Sequence, residues 1–516
     1  MQENVRNIVV LGGGTAGWLS ACILASKLDC ANNKTTTVTL VESPDIPTIG
    51  VGEGTVPTMR QTLQMIGVSE SDFIRECDVT FKQSIKFVDW LYKSDDKPQH
   101  VYHHLFNYPH TPGFDMTPYW LLSDQNLNFA NSVSIQEAAC ELSLAPKKIT
   151  HREFQAPLEY AYHLDALKFA KFLAKYGTTT LGIQHLSATV EDVKLTADGD
   201  IESLLFTNGD CLSGDLFVDC SGFHGRLLAK ALGVGFVEKG DQLLVDTAVA
   251  MQVPYSDPER EIPPYTIATA QECGWTWDIG LSKRRGVGYV YSSKHTSHER
   301  AEEVLRSYVG EEAKGIETRR IPMHIGYREK FWHKNCVAIG LSAGFVEPLE
   351  ATALLIVEAT AKLLAEKLPT YRQDYDYAAK SFNDTTRYAW DRVIDFIKLH
   401  YFLTKRTDTQ FWLDNQDEST VPASLLEKLK HWKTNIPTPS DFFSKYEVFQ
   451  LENYQYVLYG MDYDTNLNAS KHRYTRGEIA TREVQKLAQQ AKLMSQQLDT
   501  HRSLIEKIKQ HGLSKI

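Results

Sequence analysis

Asn7-Ile8-Val9-Val10-Leu11-Gly12-Gly13-Gly14-Thr15-Ala16-Gly17 decides the fold. An apolar run of strand character feeds straight into glycines, and from Trp18 to Leu28 apolar residues recur at helical spacing. A second strand, Thr36 to Val41, ends on Glu42, 25 residues beyond Gly17, where a carboxylate can take a ribose hydroxyl. The glycines of the GxGxxG pattern in this strand–turn–helix–strand opening each have a task. Gly12 permits the tight turn, Gly14 lets a pyrophosphate approach the backbone, and Gly17 lets the helix pack on the strand. The helix N-terminus, with Thr15 and Ala16 in its first turn, adds amide donors and positive dipole. A Gly-rich turn alone is a weak sign of a nucleotide, but strand, helix and acid in the right order make it specific. The stretch predicts an α/β, Rossmann-like, dinucleotide-binding core.

Working outward, strands are expected at Val190 to Leu195, at Ile201 to Thr207 before an Asn208-Gly209 turn, and at Asp215 to Asp219. The spacing then turns helical at Leu349 to Leu368, Tyr388 to Leu403 and Arg476 to Lys509. This divides the chain into residues 1–380, a core with substrate-side β-sheet insertions, and 381–516, a mainly helical C-terminal subdomain packed on it. No repeat, low-complexity tract or linker is present, and the Pro-containing stretches Pro44 to Pro57 and Pro254 to Pro264 read as ordered loops. Val484, Leu487, Ala491, Met494, Leu498 and Ile505 form an apolar stripe whose first reading is packing on the body, with a homodimer as the alternative.

Composition excludes several classes. A chain of 516 residues, 42% hydrophobic, buries a large core and is no small binding module. A net charge of −10 without a basic patch speaks against nucleic acid and anionic membranes as partners. Eight cysteines with no CxxC pair suggest neither zinc nor a disulfide framework, and a reducing cytoplasm is the simplest home. Neither a signal pattern nor an apolar run of roughly 20 residues occurs. His103, His104 and His110 lack the carboxylate or cysteine that would complete a metal site, so no metal is expected.

The choice between FAD and NAD turns on Asp215-Leu-Phe-Val-Asp-Cys-Ser-Gly222, a strand ending in a glycine turn that resembles flavoprotein oxygenases of the glutathione-reductase type. No second GxGxxG holds a resident nicotinamide, so electrons come from transiently bound NAD(P)H or from another protein.

Four stretches together resemble the flavin-dependent tryptophan halogenases: the Gly-rich turn, Gly50-Val-Gly-Glu-Gly-Thr-Val-Pro57, Phe81-Lys82 within Thr80 to Trp90, and Ala338-Ile-Gly-Leu-Ser-Ala-Gly-Phe-Val-Glu-Pro-Leu-Glu-Ala-Thr352. The family's Trp-x-Trp-x-Ile-Pro signature is present as Trp275-Thr276-Trp277-Asp278-Ile279-Gly280, with glycine in place of the final proline. Read alone, Lys82 is a solvated strand lysine, Glu350 a first-turn glutamate, and the paired tryptophans core residues. The resemblance implies otherwise. Lys82 and Glu350 become the catalytic pair, one presenting an N–H or amine to an electrophilic halogen species, the other a carboxylate that polarises it or takes the ring proton. Thr352 and Ala353 become the halide site, in a helix opening that Pro348 suits and whose free amides can hold an anion. Gly12, Gly14, Thr15, Ala16, Gly17, Glu42, Val190, Leu341 and Leu354 are the implied FAD contacts. Trp275 and Trp277 would line the path from flavin to substrate, and His104 and Phe106, in a His-x-Phe pattern, would sandwich an indole.

The implied reaction uses FADH2 delivered by a separate flavin reductase, O2, and chloride or bromide to make hypohalous acid at the flavin, which then halogenates an electron-rich aromatic at Lys82 and Glu350. Two rivals are a single-component flavin aromatic monooxygenase, which normally carries Gly-Asp where this chain has Gly340-Leu341, and a non-catalytic flavin-binding protein. Ala351-Thr352-Ala353 replaces the family's usual Ser-Thr-Gly, which opens the site to a larger halide such as bromide. Phe442 to Tyr459 lacks the Tyr-Tyr, Glu and Phe-Trp spacing with which tryptophan-specific members hold the amino acid, so the expected substrate is an indole- or tryptophan-like ring rather than necessarily free tryptophan.

Overall fold

The opening apolar run is a buried strand, Asn7–Leu11, inside a six-stranded sheet of a computed structural model that describes residues 4–33, 35–45, 52–93, 98–109 and 113–515. The strand order is Trp332–His333, Cys336–Ala338, Leu216–Asp219, Asn7–Leu11, Thr37–Glu42 and Gln184–Ser187. All neighbours run parallel except the first pair. Ile8, Val10, Val38, Leu40 and Val218 have no exposure, as a parallel sheet covered on both faces requires. Helix Thr15–Lys27 is apolar nearly all round, burying Trp18, Leu19, Ile23 and Leu24, because it lies inside the protein rather than on its surface.

The chain packs as two compact units, each assembled from three segments. The first comprises residues 1–78, 164–240 and 323–390 and holds the parallel sheet, helices Ala166–Thr179 and Thr352–Lys367, and the antiparallel ribbon Val190–Leu195, Ile201–Phe206, Cys211–Ser213. The second comprises residues 79–163, 241–322 and 391–516. Its seven-stranded sheet runs Arg319–Pro322, Thr247–Pro254, Arg284–Tyr291, Gly274–Gly280, Thr266–Gln271, Ser84–Val88 and Val101–Leu105. Helix His298–Val309 seals one face, with Ala301, Val304 and Leu305 against Val249, Met251, Val253 and Tyr289. The remaining helices of this unit include Ala423–Trp432, Leu451–Gly460, Gly477–Ser495 and His501–His511.

Sequence spacing places one cut near residue 380, whereas the compact units alternate along the chain and last change over between Trp390 and Asp391, within the continuous helix Tyr375–Phe402. Periodicity reports which face a helix buries, not which body it buries that face against. The single C-terminal helix expected over 476–509 is two, Gly477–Ser495 and His501–His511. Tertiary bonds pull the joint extended: Ala145 N–H donates to the Asp499 carbonyl at 3.0 Å, His501 N–H donates to that of Ser143 at 2.8 Å, and Thr500 caps the second helix. No helix among the described residues is long and apolar enough to cross a membrane.

Candidate active site

In the first unit the Gly-rich turn is shaped by close backbone approach. Gly12 has φ +124°, and a Cβ there would lie 2.3 Å from the Cys220 carbonyl oxygen; one on Gly17 would lie 1.8 Å from that of Gly12. Gly13, to which the motif assigns no task, matters as much: its Cβ would stand 2.0 Å from Glu42 Cδ. The Glu42 carboxylate thus lies along a bare backbone turn, with His185 Nε2 at 3.2 Å from its Oε2. Gly14 is the extended N-cap of helix Thr15–Lys27 and brings no capping side chain, so the first-turn amides receive no hydroxyl from it and are suited to an anionic group. Thr15 is turned inward, its Oγ1 donating to the Ala166 carbonyl at 3.2 Å. A side-chain-free turn, helix amides and a carboxylate for a ribose fit the phosphates and sugar of a dinucleotide.

Gly340, at φ +76°, brings the turn carrying Leu341 onto the same helix start, where a Cβ would lie 2.8 Å from that of Ala16. Asp219 organises the neighbouring loop: its carboxylate accepts from the N–H groups of Ser221, Leu227 and Leu228 at 3.0, 2.8 and 2.9 Å. Val190 and Leu341 are half-buried and Leu354 is buried. In the described part of the Gly50–Pro57 motif, Glu53 is pushed up to about 7 by burial. Gly50 and Val51 lie outside the described residues, as does His110.

Helix Thr352–Lys367 starts later than its sequence suggests. Pro348 precedes it by a turn, and Glu350, 2% exposed, sits outside the first helical turn instead of within it. The reason is Ala351, the N-cap, which adopts φ 55°, ψ 37°. This left-handed conformation strains any residue but glycine and redirects the chain immediately before Thr352 and Ala353. Alanine has no oxygen with which to cap, so the first-turn amides of Thr352 and Ala353 receive no bond from the N-cap side chain. Two turns on, Glu358 is buried, accepts from Thr62 Oγ1 and lies 3.7 Å from Lys362 Nζ. Burial raises its carboxyl to about 7.

Lys82 belongs to the second unit, on the short strand Thr80–Lys82, and has no solvent exposure. Its Nζ stands 5.4 Å from the centre of the Phe106 ring. The loop after Val101–Leu105 is locked: Phe106 and Asn107 both donate their N–H to Gln136 Oε1, at 3.0 and 2.8 Å, and Tyr456 Oη donates to the Asn107 carbonyl at 2.8 Å. His104 Nε2 pairs with Asn453 Oδ1 at 3.0 Å, on helix Leu451–Gly460. His103 is taken up in packing, between Ser84 Oγ at 2.9 Å and Glu141 Oε1 at 2.7 Å. Trp275 and Trp277 share one face of their strand, ring centres 6.4 Å apart. Trp275 also meets Trp90, while Trp277 lies over Gly288, whose missing side chain makes room for the indole. Gly280, in place of the signature proline, is pressed by Ile262, whose Cγ2 would be 2.7 Å from an added Cβ.

Residues 7–473 match the model of the family described as tryptophan halogenase. The chain belongs to that family. It is 36% identical over 482 residues to a tryptophan 6-halogenase of Streptomyces toxytricini, covering 89% of this chain and 90% of that protein. It is 34% identical over 493 residues to a tryptophan 7-halogenase of Lentzea aerocolonigenes, with 89% and 90% covered. Among solved structures, a tryptophan halogenase from Shewanella frigidimarina agrees with a TM-score of 0.95 at 40% identity over 100% of both chains. The flavin-dependent halogenase BrvH from Brevundimonas sp. BAL3 agrees at 0.87 and 32%, over 98% of this chain and 99% of the other. This halogenase is accordingly a flavin-dependent enzyme on a mixed α/β fold, as its motifs imply.

The motifs pointed to the glycine turn, which the structure forms, and named Lys82 and Glu350 as candidates, both of which are buried. The contacts of His185, Asn453, Gln136 and Thr62 were not legible because their partners come from distant segments and leave no local spacing, and the i, i+4 spacing of Glu358 and Lys362 does not announce that Glu358 is buried.

Proposed function

We propose that this halogenase takes FAD at Gly12, Gly14, Thr15, Ala16, Gly17, Glu42, Val190, Leu341 and Leu354, receives it reduced from a separate reductase, and halogenates an electron-rich, indole- or tryptophan-like ring. When bound in its reduced form, the flavin supplies the two electrons with which O2 and halide yield hypohalous acid and water. Thr352 and Ala353 hold the halide, chloride or bromide, on the uncapped amides of the helix start. Trp275 and Trp277 guard the route of the oxidant. Lys82 binds HOX through an N–H donor and orients the halogen toward the ring, which His104 and Phe106 flank. The ring carbon bonds to halogen, hydroxide leaves as water, and Glu350 takes the ring proton and passes it on.

The observation that supports this reading most directly is the placement of Lys82, without solvent exposure and with its amine 5.4 Å from the centre of the Phe106 ring that would flank the substrate. The test supplies full-length protein with FAD, a flavin reductase, NADH, O2 and either halide, and screens indole, tryptophan and phenols by mass spectrometry. Halide-dependent products absent from Lys82→Ala and strongly reduced in Glu350→Gln are expected. Hydroxylated products, or halogenation that persists in Lys82→Ala, would refute the assignment.

A further inference from the structure

Among the described residues, the strand that carries Lys82 pairs on one side only, with Ala161–His163, and ends its sheet. Along such an edge alternate N–H groups point away from the partner strand, and where they are buried they need acceptors. Phe81 and Gln83 carry those groups. Gln83 N–H finds the Pro264 carbonyl at 2.7 Å. Phe81 N–H finds no backbone at all; it donates to His501 Nε2 at 2.8 Å, and the other ring nitrogen, Nδ1, donates to the Ile262 carbonyl at 2.8 Å.

We infer that His501 is a positioning residue for Lys82, its imidazole standing in for the neighbouring strand that the Lys82 strand lacks. The inference rests on the assignment of Lys82 to the halogenating site. Its partners specify one neutral tautomer, protonated on Nδ1 and accepting at Nε2. Burial, aided by the charge of Arg502 and opposed by the Ile262 bond, lowers its pKa to about 4, so the ring is neutral near pH 7. A protonated ring would point a donor at a donor.

The surroundings are built for the same purpose. Ile262-Pro263-Pro264 offers carbonyls to the strand from a segment in which two of three residues have no N–H to leave unpaired. Gly280 lets that segment close in, and its carbonyl accepts from Thr80 Oγ1 at 2.6 Å. The departure from the family signature at residue 280 therefore lies where the His501 acceptor packs. Helix His501–His511 is seated independently by Arg502, which donates to the Arg260 carbonyl at 2.6 Å. Thr80, Phe81 and Gln83 are thus tied on one edge, around the residue whose amine must be placed to within a fraction of an ångström.

The test uses full-length protein with FAD, reductase, NADH, bromide and whichever of indole or tryptophan the wild type brominates. Two quantities are read together: reduced-flavin oxidation, and brominated product per flavin oxidised. His501→Phe keeps the ring and removes both bonds, and His501→Gln restores an acceptor. The Phe variant is expected to lower product per flavin tenfold or more, in kcat rather than KM, with flavin oxidation unchanged, and the Gln variant to recover to within threefold. Arg502→Ala, which loosens the same helix without touching Phe81, leaves the ratio as in wild type. Should the Phe variant not fold, His501→Asn, too short to span both groups, takes its place. Amide exchange of the peptide holding Phe81 gives a readout apart from turnover, with protection lost in the Phe or Asn variant and regained with Gln. An unchanged ratio in the Phe variant, or an equal fall in Arg502→Ala, overturns the inference. Failure of the wild type to brominate either compound would instead count against the halogenating-site reading, and the exchange data would still decide whether His501 holds Phe81.

Discussion

Gln136 Oε1 accepts the backbone N–H of Phe106 at 3.0 Å, while its Nε2 donates to the Glu159 carbonyl at 2.6 Å. One buried amide thereby fixes the loop that sets the Phe106 ring against Lys82. Gln136→Leu removes the acceptor of the Phe106 and Asn107 N–H groups and a donor to the Glu159 carbonyl, leaving Phe106 N–H its longer bond to the Gln83 carbonyl at 3.3 Å, at about 1–3 kcal/mol for each buried group left unpaired. Lower thermal stability and a reduced kcat/KM for halogenation are expected, with reduced-flavin oxidation retained. Undiminished kcat/KM would show that Phe106 holds its place without Gln136.

Gly13 borders the nucleotide turn. In Gly13→Ala the new Cβ collides with the end of the Glu42 side chain, which can swing away, so the fold persists while the ribose loses its carboxylate. FAD affinity, measured by flavin fluorescence titration, should fall about tenfold, equivalent to about 1.4 kcal/mol. Unaltered affinity would mean that Glu42 does not contact the cofactor.

Ala351 pays a conformational penalty at φ 55° that glycine avoids. Ala351→Gly should raise the melting temperature, by up to about 1 kcal/mol of stability, and Ala351→Val should lower it. A glycine variant less stable than wild type would place the strain elsewhere.

Glu358 provides a pH signature. Its folded pKa of about 7 lies above the ordinary 4.5, so the folded state holds the proton more tightly than the unfolded chain does. That contribution is fully present below pH 4.5 and is lost as pH rises through 7. Glu358→Gln stays neutral and escapes the loss, so it should exceed wild type by about 1–3 kcal/mol at pH 8 and match it at about pH 4. Melting curves at both pH values decide; a gain that is equal at the two values would assign the effect to something other than ionisation.

The nucleotide core was legible in eleven consecutive residues because its requirements are local. A strand, a turn needing residues without Cβ, and a helix follow each other in sequence, and Asn7–Leu11, Gly12 and Thr15–Lys27 sit where the pattern puts them. Lys82, Glu350 and Thr352 were singled out only by resemblance, since nothing in their own spacing distinguishes the buried lysine and glutamate of the structure from solvated ones. The start of the Thr352 helix was misplaced because the left-handed turn at Ala351 is occupied by a residue that does not announce it.

What the sequence alone determined is therefore the α/β class and the glycine turn, while resemblance supplied Lys82 and Glu350 as candidates for the reactive groups. Tertiary structure alone decided how those groups are held. His501 lies 420 positions from the amide it accepts, and Asn453 lies 349 from the imidazole it meets. Such partners are chosen by the need to satisfy buried donors and acceptors once the chain has collapsed, a constraint that acts through space and imposes no period on the sequence.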